Sequence, residues 1–315
     1  MFGGIQYSPF QSRDDIMNKT KGIACAVLAA FIYGFTPILG KFSYLEGSNS
    51  FSLTFYRSAL SLPMLFIILK ANKISLFITK AEIRNLTVLG ALGPVLTALT
   101  LYGAYNYISV GMTTTIHYIY PVLVASACVI FFKEKLNKEK IIALILSTIG
   151  ILLFFEGDFT GSITGIIIAL LSGIFYASFI VFMDKSGIKT IYPFKISFYT
   201  CIIATILLLF FGITTKSLTF SMSSLGWLYT FLVATFVSVI ANTLMAVAIK
   251  NTGSTITAIV GMFEPITSVI LGILFLKELI SFKNILGCVL ILIAVLVLTL
   301  TKDEECTDKD KLISN

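Results

Sequence analysis

Between residues 22 and 301 one apolar run follows another, each close to the length of a bilayer crossing and set off from the next by a few polar residues. A hydrocarbon layer about 30 Å thick takes roughly 20 helical residues. No water is available there to satisfy an open backbone, so such runs fold as helices that make their hydrogen bonds internally. Ten runs are distinguishable, at 22–42, 51–69, 86–106, 112–132, 141–156, 164–183, 194–213, 225–248, 255–276 and 284–301. The short alternating segments of a membrane barrel are absent. Composition agrees, because 57% of the residues are hydrophobic and 12% charged, against about a quarter charged in soluble domains. The expected fold class is an all-α polytopic membrane protein with ten transmembrane helices.

The net charge of +7 is dispersed among short inter-run loops, which suits membrane orientation and not the continuous basic stripe of a nucleic-acid binder. With the N-terminus in the cytoplasm, eighteen basic residues fall inside, while Lys41, Arg57, Lys216, Lys277 and Lys283 fall in the outer half with Glu46, Glu156 and Asp158. Both termini are therefore expected in the cytoplasm, most naturally that of a bacterium, with the bundle in its inner membrane. Residues 1–18 read as a polar cytoplasmic segment and 302–315 as a charged, disordered tail. The first apolar run is full length and lacks a small-residue cleavage site, so it reads as a span and not a signal peptide. Cys25, Cys128, Cys201 and Cys288 all lie within runs, without a CxxC pair, and read as small packing residues.

The chain also repeats itself. Tyr120-Pro121 followed by Phe132-Lys133-Glu134-Lys135-Leu136 returns as Glu264-Pro265 followed by Leu276-Lys277-Glu278-Leu279, with both proline and glutamate displaced by 144 residues. Gly22, Ala26, Leu28 and Tyr33 match Gly165, Ala169, Leu171 and Tyr176, and Phe55-Tyr56 matches Phe198-Tyr199, all displaced by 143. Ten runs in two copies place five in each, residues 19–157 and 162–301. An odd number makes the second copy enter the membrane from the opposite side, giving an inverted repeat of five plus five, and translocation sites lie where such halves meet.

These segments carry a resemblance. Phe55-Tyr56-Arg57 in run 2, Tyr120-Pro121-Val122 in run 4 and Glu264-Pro265 in run 9, each pair of copies in order, resemble the EamA-type members of the drug/metabolite transporter superfamily over roughly residues 20–300. The resemblance implies a ten-helix bundle around a central cavity lined by spans 1, 3, 4, 6, 8 and 9, working by alternating access on amino acids, related metabolites, vitamins or drugs.

Candidate substrate contacts lie on the polar stripes of those spans. In span 4, Thr113, His117, Tyr120 and Val124 share a helical face, and His117 is the single histidine of the chain. Span 9 presents Thr257, Gly261, Glu264 and Ser268 on one face, with Met262 beside it; an ionised Glu264 facing lipid would cost roughly 2.5–3.5 kcal/mol, so it faces the bundle. Span 3 offers Thr97 and Thr100, span 8 Ser238 and Asn242, and span 6 Tyr176 and Phe179. Tyr33 and Tyr176 occupy equivalent repeat positions, and such an aromatic pair suits an aromatic or cationic substrate. Each of these residues also has a plain packing reading, since small and polar side chains mediate ordinary helix association in membranes. Glu264 and His117 are the groups that could couple to protons. Pro37, Pro121 and Pro265 are hinge candidates because each removes one helix hydrogen bond. Arg57 is expected to snorkel outward or pair with Glu46, and Glu134 to be neutralised by Lys133 or Lys135.

No metal cluster, cofactor motif or phosphate loop is present, and one histidine with no aspartate inside the runs argues against a membrane enzyme. The sequence points to secondary transport of a small molecule, an amino acid, amine or related metabolite, with export ahead of uptake of a cationic or aromatic nutrient or vitamin. Several buried cations would be needed for a sugar phosphate, and the runs do not supply them.

Overall fold

The computed structural model describes residues 9–108, 110–153, 162–276 and 281–300, and all regular structure among the described residues is helical. In chain order the helices are α1 (Pro9–Leu45), α2 (Ser50–Ala71), α3 (Lys80–Gly90), α4 (Ala98–Ala104), α5 (Val110–His117), α6 (Tyr120–Phe132) and α7 (Lys138–Leu153). They continue with α8 (Ile163–Lys185), α9 (Pro193–Thr214), α10 (Ser224–Val233), α11 (Asn242–Gly261), α12 (Glu264–Leu276) and α13 (Phe282–Leu300). Two π-helical segments, Ala91–Thr97 and Ala234–Ala241, join α3 to α4 and α10 to α11. The expected tail at 302–315, together with Glu156, Asp158, Lys277 and Glu278, lies outside the described residues. The polar residues 9–18 are helical and extend α1 beyond its apolar stretch.

Eight helical stretches among the described residues are long and apolar enough to cross a membrane. Their outer faces carry Ile67, Phe131, Ile206, Phe210 and Leu274, which are 62–75% exposed, an apolar exterior that lipid and not water would cover. Inside, α1 packs along α11 and α12, α2 along α9, α7 along α13, and α8 against α4, α5 and α6. Helix starts are fixed locally. Asn49 caps α2 by accepting from the Ser52 amide at 2.7 Å, and Thr79 with Glu82 forms a capping box on α3, each satisfying donors that a helix start leaves open.

The repeat is written into the backbone. Helices α2 and α9 have 22 residues each and begin 143 residues apart. Lys73 and Lys216, also 143 apart, leave them in the left-handed conformation at φ 56° and 53°. The Tyr56 hydroxyl donates to the Thr219 carbonyl at 3.1 Å, and the Tyr199 hydroxyl donates to the Leu76 carbonyl; tyrosines and carbonyls are again 143 apart. Such reciprocal contacts are the mark of a twofold relation. Because each tyrosine near a helix start reaches the loop after the other helix's end, α2 and α9 run antiparallel. The π segments begin at equivalent positions, Ala91 and Ala234, and the second is one residue longer. Across it the displacement between the copies grows from 143 to 144.

Candidate functional site

Proline decides the local geometry of the site. It has no amide hydrogen, and its ring clashes with the carbonyl four residues earlier. The residues four before Pro121 and Pro265 are His117 and Gly261, and these are the last residues of α5 and α11. Two tight turns follow, in which the Tyr118 and Ile119 amides donate to Thr114 and Ile116, and the Met262 and Phe263 amides to Ile259 and Val260, at 3.0–3.2 Å. Helices α6 and α12 then restart at Tyr120 and Glu264. Pro37 differs, since α1 runs through it unbroken.

The two breaks touch. A Cβ at Gly261 would stand 2.5 Å from the Tyr120 hydroxyl, so glycine leaves the room that Tyr120 fills, and the hydroxyl donates to the Ala258 carbonyl at 3.4 Å. Tyr118 from the first break lies close to the Glu264 carboxyl of the second. The same carboxyl lies within electrostatic reach of Tyr33, Tyr105, Tyr120 and Tyr176. Gly34 lets α1 close on this point, because a Cβ there would stand 2.9 Å from the Glu264 carbonyl oxygen.

Aromatic rings form the wall beside the breaks. Tyr120 and Tyr176 meet edge to face with centroids 4.7 Å apart, and Tyr176 stacks on Phe179 at 5.9 Å and 10°, geometries favoured by ring quadrupoles. Phe179 lies flat on Gly93, where a Cβ would meet ring carbons at 2.5 Å. Gly93→Val is therefore expected to lower stability by about 1–3 kcal/mol through overpacking, measured as earlier thermal unfolding of the purified protein. His117 is buried 5.4 Å from the Tyr176 ring centroid, with Nδ1 2.9 Å from the Ser172 hydroxyl oxygen. That hydroxyl gives its one proton to the Ala169 carbonyl at 2.6 Å, so Nδ1 is the donor to Ser172, which in a neutral imidazole leaves Nε2 as an acceptor.

Comparison with known proteins agrees with this architecture. A model of the EamA-like transporter family matches residues 20–156 and again 163–300. The chain belongs to that family. It is 26% identical over 298 residues to an uncharacterized transporter of Clostridium kluyveri, covering 88% of this chain and 92% of that one. A solved crystal structure of a protein superposes with a TM-score of 0.78 at 13% identity, covering 90% of this chain and 97% of its own; at that identity the likeness is one of fold alone.

The remaining candidates divide within the EamA bundle. Tyr33 of α1 donates to Asn242 Oδ1 at 2.7 Å, joining the predicted aromatic to the predicted amide. Thr97 and Thr100 spend their hydroxyls on their own helix, donating to Leu92 at 2.7 Å and Leu96 at 2.6 Å; the first bond reaches five residues back, across the π turn. Ser238 is buried within the second π segment, Thr113 is fully buried, and Met262 is fully buried in the core with Tyr118 and Tyr120.

Sequence reasoning missed the other polar centre of this EamA protein. The sixth run, read to end at 183, continues helically to Lys185 and takes in Asp184, which is 3% exposed. Its carboxylate accepts from the Ser254 amide at 3.3 Å and hydroxyl at 3.0 Å, and pairs with Lys189 at 2.9 Å and Lys185 at 3.0 Å. Lys185 also bridges to Glu134 at the end of α6. The partner of Glu134 is thus Lys185, not the adjacent Lys133 or Lys135, because α6 and α8 end side by side. Gly253, at φ 76° and ψ 174°, interrupts α11 just before Ser254, so Asp184 caps a helical restart where open amides favour an anion. The sequence signal was Asp184-Lys185 with Lys189 at the end of an apolar run.

Proposed function

We propose that this EamA-family transporter carries a small metabolite by alternating access through the space where the two proline breaks meet, and that it exports amino acids or related metabolites. The observation that carries the reading is the contact of the breaks. Each is a point where backbone bonds are already missing, and between them they gather His117, Tyr118, Tyr120 and Glu264. Broken helices at a repeat interface are where transporters bind their substrates.

The proposed topology has ten passes, five in each inverted copy, with both termini in the cytoplasm of a bacterial cell. Ser224–Gly261 has 38 residues, about 57 Å if it were one straight helix, nearly twice the hydrocarbon thickness. Gly253 divides it, so that α10 to residue 250 makes one pass and the stretch from Ser254 through α12 makes the next. Helix α7, with 16 residues, is the remaining short pass.

The test is flux into liposomes holding the purified protein, with a panel of amino acids and amines, with and without a pH gradient. His117→Ala is expected to weaken substrate binding about tenfold, in line with the loss of one hydrogen bond and its ring contacts, in a thermal-shift titration. Unchanged affinity would remove span 4 from the site.

A further inference from the structure

We infer that Arg57 is the anion-binding end of the substrate site, taking the carboxylate of a small zwitterion whose ammonium end faces Glu264 and the tyrosine wall. The inference rests on the transport reading for its substrate, but its evidence is separate. Arg57 does not pair with Glu46: that carboxylate is engaged by the Ser223 hydroxyl. Among the described residues Arg57 forms no ion pair, and its Nε is buried without a hydrogen-bond partner. Its electrostatic neighbours are Tyr33 and Tyr44 of α1 and Cys201 of α9, all helices packed against α2.

An arginine with a buried, unused donor is costly until an acceptor meets it. Its planar fork matches a carboxylate through two parallel hydrogen bonds. Tyr33 is the measure of where that anion would sit, because it lies within electrostatic reach of both Arg57 and Glu264, while no ion pair joins the two charges. A cation and an anion that both reach one tyrosine and do not pair with each other fit a solute that carries both signs. A phosphate ester would call on several cations, and here one is offered. The repeat supports a functional role, because the position equivalent to Arg57 in the second copy is Thr200, and that equivalent to Glu264 in the first is Tyr120. Both charges depart from the frame the copies share.

The test uses the purified full-length protein and four probes with one ring: L-phenylalanine, phenethylamine, 3-phenylpropionate and phenyl phosphate. Wild-type protein is expected to be stabilised most by L-phenylalanine in thermal shift. Arg57→Gln is expected to bind it about 10- to 100-fold more weakly and to bind phenethylamine as wild type does. Arg57→Lys keeps the charge without the fork and falls between; if the glutamine variant does not fold, it decides by the same comparison. Equal binding of L-phenylalanine by wild type and variant, a wild-type preference for phenethylamine or phenyl phosphate, or no binding of any probe would overturn the inference. Liposome flux separates the two readings. Flux of a probe that Arg57→Gln leaves untouched keeps transport and discards Arg57, whereas Arg57-dependent binding without flux keeps the site and discards transport.

Discussion

Asp184→Ala is expected to lower the apparent melting temperature of the detergent-purified protein by roughly 5–15 °C, corresponding to a loss of about 3–5 kcal/mol. The magnitude follows from what the carboxylate does. At 3% exposure it compensates Lys185 and Lys189 and takes both the amide and the hydroxyl of Ser254. Removing it leaves one buried amide open and two cations with one fewer partner. Asp184→Asn keeps the volume and one acceptor oxygen and is expected to lose less. Ser254→Ala made in the Asp184→Ala background is expected to cost clearly less than in wild type, since contacting residues are not additive; equal costs in the two backgrounds would show that Asp184 does not cap the restart at Ser254.

The second large effect is functional. Glu264→Gln is expected to leave the protein folded, because glutamine fills the same volume, and to abolish accumulation driven by a pH gradient. One pH unit is worth about 1.4 kcal/mol, so a substrate coupled to one proton concentrates about tenfold, and the variant should bring this to about onefold. Within electrostatic reach of Glu264 are Tyr33 of α1, Tyr105 after α4, Tyr118 and Tyr120 at the first break and Tyr176 of α8, with His117 beside Tyr120 and Arg57 also within reach of Tyr33. Tyrosines do not exchange protons readily near neutrality, so Glu264 and His117 are the groups that could carry one, and the Glu264→Gln comparison tells them apart. Vesicle uptake with an imposed gradient measures it, and full gradient-driven accumulation by the variant would take Glu264 out of the proton path.

Helix positions and the repeat were readable because both are periodic in the chain. Apolar length marks a span whatever it packs against, and a duplicated Tyr-Pro and Glu-Pro marks a helix break because proline lacks an amide wherever it stands. That His117 and Tyr120 share one face and Tyr176 and Phe179 another was also readable from their helical stripes, but that the two faces meet was not. Other details were not. The capture of Ser172 by His117 spans 55 residues of sequence, and the pairing of Glu134 with Lys185 spans 51. For Glu134 the nearer Lys133 and Lys135 looked as plausible along the chain, and for His117 nothing along the chain singled out Ser172. Thr97 and Thr100 have the right residue type for a cavity, yet the π turn beside them offers closer carbonyls.

By itself the sequence determined a helical membrane bundle, its internal duplication and the two proline breaks, because length, hydrophobicity and a missing amide act locally. Only the tertiary structure decided that the breaks touch through Tyr118, Tyr120, Gly261 and Glu264, that Asp184 caps the helix restarting at Ser254, and that Arg57 is left with its Nε buried and unpaired. Those facts depend on which helix lies beside which, and inside a bilayer that choice is made by close fit and by finding a partner for every buried polar group.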